Sequence, residues 1–500
     1  MTNTFMNKLE EFGNMTTTTN GAAAAKSTGS KVYDMFALGG AYRGRNNLDK
    51  ILLFKEAYKE CPDLALKCLF YLRDIRGGQG ERQFFRTCFN WLAKTEPQVV
   101  SHVMYSIPEF GRWDDLIYSC FDTDLEKEML DIIERQFYMD LSSRTPSLLA
   151  KWLPSENTSS LATRSAARRI RKYFKMTPKE YRKNLSAIRG RINVLEKLMC
   201  SNQWDEIDFS KIPSRAGLIY RNAFANNALT AERYKEFINN KSTKVNADVL
   251  YPYEIVKQAR EYILNDPERI AINKYWENLP DLFEDNNKAK VLCVCDTSGS
   301  MEWGNSTVKP IDVAIGLSMY CAERLTGPFK NHYISFASEP QLIKTNEGID
   351  FVDSVKRIYS TNLCDNTNLE AVFDLLLNIA KNPSTKKEDI PTTIIVISDM
   401  QIDVATMHWN TKLTEDTAAT EMQIIKAKWT TEGYKCPNIV YWNVNGENNG
   451  NIIDKGEGVS FVSGFSPVIM KSILNGKTGY QLMLDTLLSD RYANINYLEA

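Results

Sequence analysis

The C-terminal part of this chain alternates short apolar runs with amphipathic segments, and this alternation constrains the fold more than any other feature. Continuously apolar strands that alternate with helices are typical of a parallel sheet covered on both faces. We therefore predict a doubly wound α/β domain. The predicted strands are 290–295, 333–337, 393–397, 439–442 and 459–462, and the predicted helices are 311–325, 369–380, 417–429, 468–474 and 480–488.

The preceding part of the chain carries a different pattern. Segments such as 46–60, 65–75 and 84–93 place apolar residues at helical spacing, and short polar or glycine-containing turns separate them. This rhythm predicts a HEAT-like α-helical repeat, folded as a solenoid or a ring of stacked helix pairs.

A chain of 500 residues exceeds what one hydrophobic core usually supports, so we expect a multidomain protein. Residues 1–30 include a stretch rich in Thr, Ala, Gly and Ser, which predicts a flexible low-complexity tail. The helical module is assigned to 31–285 and the α/β domain to 288–495, because an acidic and polar segment lies between them.

Composition excludes several classes of function. The chain has 61 Lys and Arg residues against 62 Asp and Glu residues, so nucleic-acid binding would require a local basic patch. The ten cysteines are scattered without a C-x-x-C pair, which indicates reduced thiols. No apolar run is long enough to cross a membrane, and the N-terminus lacks the apolar core of a signal peptide. We therefore expect a cytoplasmic protein with no membrane partner.

Oxygen-bearing side chains cluster in three loops of the predicted α/β domain. A carboxylate and two hydroxyls occupy alternate positions in a glycine-containing loop after the first strand, a threonine precedes the second helix, and another carboxylate follows a central strand. Open α/β sheets bind ligands beyond the carboxyl ends of their strands. This set of hard oxygen ligands suits Mg²⁺ or another divalent cation. The predicted metal site comprises Asp296, Ser298, Ser300, Thr367 and Asp399.

Each of these loops also has a purely structural interpretation. The segment from Asp296 to Ser300 could be a plain turn with capping hydroxyls, and Thr367 could be the N-cap of the following helix. The occurrence of all three loops in chain order favours the metal site.

The sequence DTSGSM at 296–301, followed by a threonine loop and by SDM at 398–400, resembles a von Willebrand factor A domain with its metal-ion-dependent adhesion site. The resemblance covers about 290–488 and implies a Rossmann-like α/β fold. It also implies that one coordination position of the metal is left for an acidic group on a partner.

The same resemblance implies a role for each residue of the predicted metal site. Ser298 and Ser300 would ligate Mg²⁺ directly, and Thr367 would do so directly or through water. Asp296 and Asp399 would hold coordinated water molecules.

Four segments of the helical part carry a second resemblance. Together with the order of the two domains, they resemble the TROVE/Ro ribonucleoprotein family and its uncharacterised Ro-like branch, which occurs in microbes, plants and viruses. The resemblance implies a ring of helical repeats that binds small structured RNAs and single-stranded RNA ends. The segments are IRGGQGER at 75–82, PEFGRWDD at 108–115, KWLPS at 151–155 and IPSRA at 212–216.

A basic stretch in the helical part is the second candidate site. Tyr173, Phe174 and Tyr181 interleave with its cations, which suits phosphate contacts and base stacking. The stretch could instead be a solvated helix face whose Arg stems cover apolar surface. The predicted RNA-binding residues are Arg164, Arg168, Arg169, Arg171, Lys172, Lys175, Lys179, Arg182, Lys183, Arg189 and Arg191.

Five further arginines could extend a basic rim or form structural ion pairs, and we favour the structural interpretation. Arg112, for example, could pair with Asp114 or Asp115. These arginines are Arg73, Arg76, Arg82, Arg86 and Arg112.

No Lys, His or Cys residue is placed as a base or nucleophile beside the predicted metal loops, so binding is favoured over catalysis. The sequence predicts a non-enzymatic protein that binds structured or single-stranded RNA through its helical module and an acidic residue of a protein partner through Mg²⁺. The alternative is a protein–protein scaffold, or a component of a possibly viral assembly, that does not bind RNA.

Overall fold

A helical region precedes an α/β region in the protein, which confirms the predicted fold class at that level. None of the described helices is both long and apolar enough to cross a membrane. The computed structural model describes residues 14–17, 23–192, 195–283, 290–303, 308–336, 339–345, 348–361, 368–401, 421–446, 458–473 and 478–497.

Helices that follow one another along the chain pack together in the first region. Their bounds are α1 (Lys31–Leu38), α2 (Asn47–Glu60), α3 (Pro62–Arg73), α4 (Arg82–Thr95), α5 (Pro97–Val103), α6 (Ile107–Phe110), α7 (Trp113–Cys120), α8 (Glu126–Ser142), α9 (Leu149–Trp152), α10 (Leu161–Tyr173), α11 (Pro178–Ile192), α12 (Leu195–Cys200), α13 (Ser214–Asn226), α14 (Ala231–Asn239), α15 (Pro252–Ala259) and α16 (Asp266–Glu277).

Local sequence signals explain where several of these helices begin. The side chain of Asn46 accepts the backbone N–H of Asp49 at the start of α2. Asn265 and Glu268 form a reciprocal capping box at the start of α16. Proline occupies the first turn of α3, α5, α15 and α16, where its missing N–H costs no hydrogen bond.

A six-stranded sheet with the strand order β5-β4-β3-β6-β7-β8 forms the second region. All neighbouring strands are parallel except β4 and β5. The bounds are β3 (Val291–Asp296), β4 (His332–Phe336), β5 (Leu342–Lys344), β6 (Thr393–Ser398), β7 (Asn438–Asn443), β8 (Val459–Ser463), α17 (Pro310–Arg324), α18 (Phe351–Thr361), α19 (Leu369–Ala380), α20 (Glu421–Thr431), α21 (Met470–Ile473) and α22 (Gly479–Leu487).

The five predicted strands are confirmed, and every residue of β3 and β6 is buried because helices cover both faces of the sheet. The antiparallel strand β5 at the sheet edge was not predicted. Part of the predicted tail also has regular structure, because β1 (Met15–Thr17) and β2 (Ala23–Ala25) pair in antiparallel fashion.

The helical and α/β regions share one hydrophobic core. A single cluster of buried apolar side chains extends from Val32 to Ile495. Helix α15 packs on α17 at Gly316, where an added Cβ would lie 2.9 Å from the backbone nitrogen of Tyr253. A side chain at this position would force the two helices apart, so the glycine permits the close contact between the regions.

Further contacts connect the helical region to strand β8 and to the residues that follow it in the sequence. The phenolic oxygen of Tyr33 on α1 accepts the backbone N–H of Phe461 on β8 at 3.0 Å. Near the C-terminus, Arg491 pairs with the fully buried carboxylate of Asp74, and the ring of Tyr492 stacks on Phe110 with centroids 5.6 Å apart. Residues that follow the sheet in the sequence therefore complete the packing of the helical region.

The segment PEFGRWDD builds a buried ion-pair network. Asp115 accepts Arg73 at 2.5 Å and Arg86 at 2.6 Å, and the Arg73 and Asp115 side chains are 2% and 0% exposed. Asp114 binds Arg112 at 2.8 Å. The structural interpretation of these three arginines is thus confirmed.

We predict that Asp115→Asn destabilises the protein strongly, because Arg73 would keep its charge in the core without a carboxylate. Breaking one partner of a buried ion pair typically costs about 3–5 kcal/mol of unfolding free energy. The measurement is urea unfolding followed by circular dichroism. The matched control is Glu56→Gln, which breaks a solvated pair with Lys59 at 3.1 Å and should cost less than about 1 kcal/mol. Equal losses in the two variants would contradict the prediction.

Candidate metal centre

Strands β3 and β6 bring two of the predicted ligand loops together. They are parallel neighbours, and Cys295 pairs with Ile397 in the ladder, so both strands end at the same edge of the sheet. The Ser398 hydroxyl at the end of β6 donates to a carboxylate oxygen of Asp296 at 2.5 Å. The loops that follow Asp296 and Ser398 therefore leave the sheet side by side.

The loop after β3 is folded on the Asp296 carboxylate. Its Oδ1 atom accepts the backbone N–H of Ser298 at 2.9 Å, and this Asx turn leads into a short 3₁₀ helix, Gly299–Glu302. The Ser298 and Ser300 hydroxyl oxygens lie 3.1 Å apart. Alternate positions in the sequence thus place two hydroxyls on the same side of the loop.

The loop after β6 fixes the second carboxylate. Met400 has a φ of +62°, a left-handed conformation that is uncommon for a residue with a side chain. Its backbone N–H donates to the Ser398 hydroxyl at 3.0 Å. Asp399 accepts the side-chain amide of Gln401 at 2.8 Å. The Ser300 hydroxyl acts to lower the pKa of Asp399, so the ends of the two loops lie near each other.

Burial raises the pKa values of both aspartates, and the charge of Asp399 adds to the rise at Asp296. Asp296 is completely buried and Asp399 is 1% exposed. Burial, the negative charge of Asp399 and only partial compensation by serine donors raise the pKa of Asp296 to about 7. Burial also raises the pKa of Asp399. A divalent cation beside the pair would favour the ionised form of both carboxyls, because its charge opposes the repulsion.

The oxygen atoms fit the geometry of a small hard cation. Octahedral Mg²⁺ binds oxygen at about 2.0–2.1 Å, so ligands at adjacent corners lie about 3 Å apart. The 3.1 Å between the Ser298 and Ser300 hydroxyls matches this spacing. Ser300 is half-buried, so a ligand could approach from its side. The residues present therefore fit a divalent cation.

The structure brings together four of the five predicted metal residues, and Thr367 lies outside the described residues. The N-cap of α19 is Asn368, whose side chain accepts the backbone N–H of Ala371 at 2.9 Å. The alternative interpretation of Thr367 as this cap was therefore wrong. Its role as a metal ligand stays a prediction.

Sequence reasoning missed the supporting contacts that three residues make at this centre. Ser398 and Gln401 orient the two aspartates, and their positions beside Asp399 were the available signal. Glu302, two residues after Ser300, binds Lys309 at 2.5 Å and lies 3.6 Å from Arg260 of the helical region. These contacts hold the loop after β3 from outside the sheet.

Within the described ranges, no group of three or more His, Cys, Asp or Glu side chains is arranged to hold a metal ion.

Helices α10 and α11 and the turn between them carry the predicted RNA-binding residues. The cations at i, i+4 along α10 and at i, i+3, i+4 along α11 lie on exposed faces. Six of the eleven are exposed and have no hydrogen-bond or ion-pair partner among the described residues. These are Arg168, Lys172, Lys175, Lys179, Arg182 and Lys183.

Four others are held by contacts with other parts of the protein. Arg169 pairs with Asp122 and Glu126, and Arg171 pairs with Glu156. Arg189 donates to the carbonyl oxygens of Ala150 and Leu153 and to Ser155, so it fixes the segment KWLPS. Arg191 donates to the carbonyl oxygens of Asp140, Leu141 and Ser143. Arg164 is half-buried, and its Nε atom has no hydrogen-bond partner.

The aromatic residues of this stretch do not form an open stacking platform. Phe174 and Tyr181 are buried in the core, and the Tyr181 hydroxyl donates to the carbonyl oxygen of Pro154 at 3.0 Å. The Tyr173 hydroxyl donates to Asp131. The proposed role of these rings in base stacking was therefore wrong for Phe174 and Tyr181, because both rings are packed against other side chains in the core.

Comparison with known proteins gives relatives for both regions. A model described as a domain of unknown function (DUF2828) matches residues 18–111 and 137–292, and one described as a domain of unknown function (DUF7788) matches residues 290–486. A similar protein is "Uncharacterized protein L728" of Acanthamoeba polyphaga mimivirus, 28% identical over 93% of this chain and 85% of the relative.

Among solved structures, the chain is similar to the Deinococcus radiodurans RO (RSR) protein. The superposition has a TM-score of 0.41 at 13% sequence identity and covers 92% of this chain and 99% of that one. The two segments matched by the DUF2828 model together make up half of the chain. The chain belongs to the DUF2828 family.

Proposed function

We propose that the α/β region is a metal-dependent binding module. Ser298 and Ser300 would hold Mg²⁺ or a similar cation directly, Thr367 directly or through water, and Asp296 and Asp399 through water molecules. The observation that carries this proposal is the convergence of two serine hydroxyls and two buried carboxylates at the shared end of β3 and β6.

The chemistry of the donors favours binding over catalysis. Neutral hydroxyls leave most of the charge of a dication uncompensated, so the metal would attract an external carboxylate. The contacts of the two aspartates with Ser398 and Gln401 position them and supply neither a base nor a nucleophile. We therefore propose that the ligand is an acidic residue of a protein partner and that the module is not an enzyme.

We predict that Asp296→Ala combined with Ser298→Ala weakens Mn²⁺ binding by at least about 10–100-fold, the usual effect of removing groups around a metal. The measurement is isothermal titration of the full chain, and anomalous diffraction of Mn²⁺-soaked crystals should place a peak beside Ser298 and Ser300.

The control for this pair is Ser384→Ala combined with Asp389→Ala, which removes the same two side-chain types from an exposed loop before β6, at the opposite edge of the sheet. The control should bind Mn²⁺ as the unmutated chain does. Unchanged affinity in the Asp296 and Ser298 variant would contradict the proposal.

We propose as a second function that the helical region binds RNA, as the Ro-like segments and domain order suggest. Its support is the set of exposed cations on α10 and α11. A groove of about 770 Å³ lies beside it between α4 and α10. Polar side chains of α4 line this groove with partly exposed Trp91 and Tyr118, which offer stacking surfaces in place of the buried rings.

We predict that removing four exposed cations of α10 and α11 weakens RNA binding and lowers its salt dependence. Each lost phosphate contact should reduce the slope of log K against log salt concentration by about 0.7 for single strands. The measurement is filter binding of single-stranded RNA over a salt series. The variant carries Arg168→Gln, Lys172→Gln, Arg182→Gln and Lys183→Gln.

The matched control removes four exposed lysines from another part of the helical region and should leave the slope nearly unchanged. Equal slopes in the two variants, or no binding by the unmutated chain, would favour the scaffold interpretation without RNA. The control carries Lys211→Gln, Lys235→Gln, Lys241→Gln and Lys244→Gln.

A further inference from the structure

Trp303 is unusually exposed for a tryptophan beside a candidate binding site. Its side chain is 78% exposed, whereas Met301, two residues earlier, is completely buried. Tryptophan combines a large apolar surface with few rotatable bonds, and it is enriched among the residues that dominate protein–protein binding energy. An exposed indole at this position is available to contact a binding partner.

The backbone ties Trp303 to the candidate metal ligands. Its N–H donates to the carbonyl oxygen of Ser300 at 3.1 Å, at the end of the 3₁₀ helix Gly299–Glu302. Three residues of such a helix rise about 6 Å. A partner segment that places a carboxylate beside the Ser300 hydroxyl would therefore bring its neighbouring side chains within reach of the indole.

Ion pairs of the preceding residue, Glu302, hold the backbone beside Trp303 in place. Glu302, the preceding residue, contacts Lys309 at 2.5 Å and Arg260 at 3.6 Å. Arg260 also lies 3.4 Å from the buried carboxylate of Asp312. The loop is thus fixed on both sides before a partner arrives, which lowers the entropic cost of ordering it on binding.

We infer that Trp303 is an apolar anchor for the partner and that the partner is a protein segment with an apolar side chain close to its metal-binding carboxylate. This inference rests on the proposed metal-dependent function. An isolated carboxylate would satisfy the metal but would leave the indole in water. A peptide segment satisfies both, because its acidic and apolar side chains can be held a few residues apart.

The test is selection from a displayed library of random peptides that share one fixed Asp. The library is applied to the full chain in Mg²⁺, and bound peptides are released with EDTA. The released peptides should be enriched in aliphatic or aromatic residues within about three positions of the Asp. An enriched peptide should bind Trp303→Ala at least about tenfold more weakly, the loss expected of a dominant interface residue.

The control variant is Leu161→Ala, which removes a similarly exposed apolar side chain, 75% exposed, from α10 of the helical region. It should bind the enriched peptide as the unmutated chain does. Mn²⁺ affinity, measured in parallel, should be unchanged in Trp303→Ala, which shows that the metal loop remains folded.

Three results would overturn the inference, and they are distinguishable. If Mn²⁺ binds but EDTA releases no enriched peptides, the anchoring role of Trp303 is contradicted and metal binding is retained. The same conclusion follows if Trp303→Ala binds the enriched peptides as tightly as the unmutated chain does. If Mn²⁺ does not bind the unmutated chain, the metal function falls and the inference falls with it.

Discussion

Parallel pairing of β3 with β6 is the contact on which the candidate metal centre depends. It sets Asp296 opposite Ser398, so that two loops distant in sequence start from one point at the sheet edge. A shift of one residue along the strands would move these groups by about 3.3 Å and break their 2.5 Å hydrogen bond. Apolar side chains buried on both faces of the two strands hold the register. The relative positions of the polar groups in the candidate metal centre therefore depend on the packing of the core.

The sequence predicted the sheet well because its strands are continuous apolar runs, and β3, β6 and β7 lie within one or two residues of their expected positions. Strand β5 escaped prediction because its three residues, Leu342–Lys344, form no such run and two of them are exposed. The shared core was also not foreseen. Periodicity shows which face of α15 or α17 is buried, but it does not show that these two helices, on opposite sides of the expected boundary, bury those faces against each other.

The two candidate sites differed in how much the sequence could show. The ligands after β3 are close in sequence, and the end of a parallel strand fixes their surroundings, so Asp296, Ser298 and Ser300 could be grouped in advance. The basic stretch mixes two kinds of arginine that look alike in sequence. Arg191 binds carbonyl groups about fifty residues away, whereas Arg168 faces solvent, and only the fold distinguishes them. The prediction that the aromatic residues stack on bases failed for the same reason, because the core partners of Phe174 lie on other helices.

The contacts between the start and the end of the chain have a consequence for its synthesis. Asp74 is completely buried, yet its partner Arg491 lies 417 positions later, and Asp63 accepts the backbone N–H of Tyr497. A ribosome delivers α3 long before these residues. Until they emerge, the Asp74 carboxylate lacks its cationic partner and the ring of Phe110 lacks its stacking partner Tyr492. The final packing of these helices must therefore wait until more than 400 further residues have been synthesised.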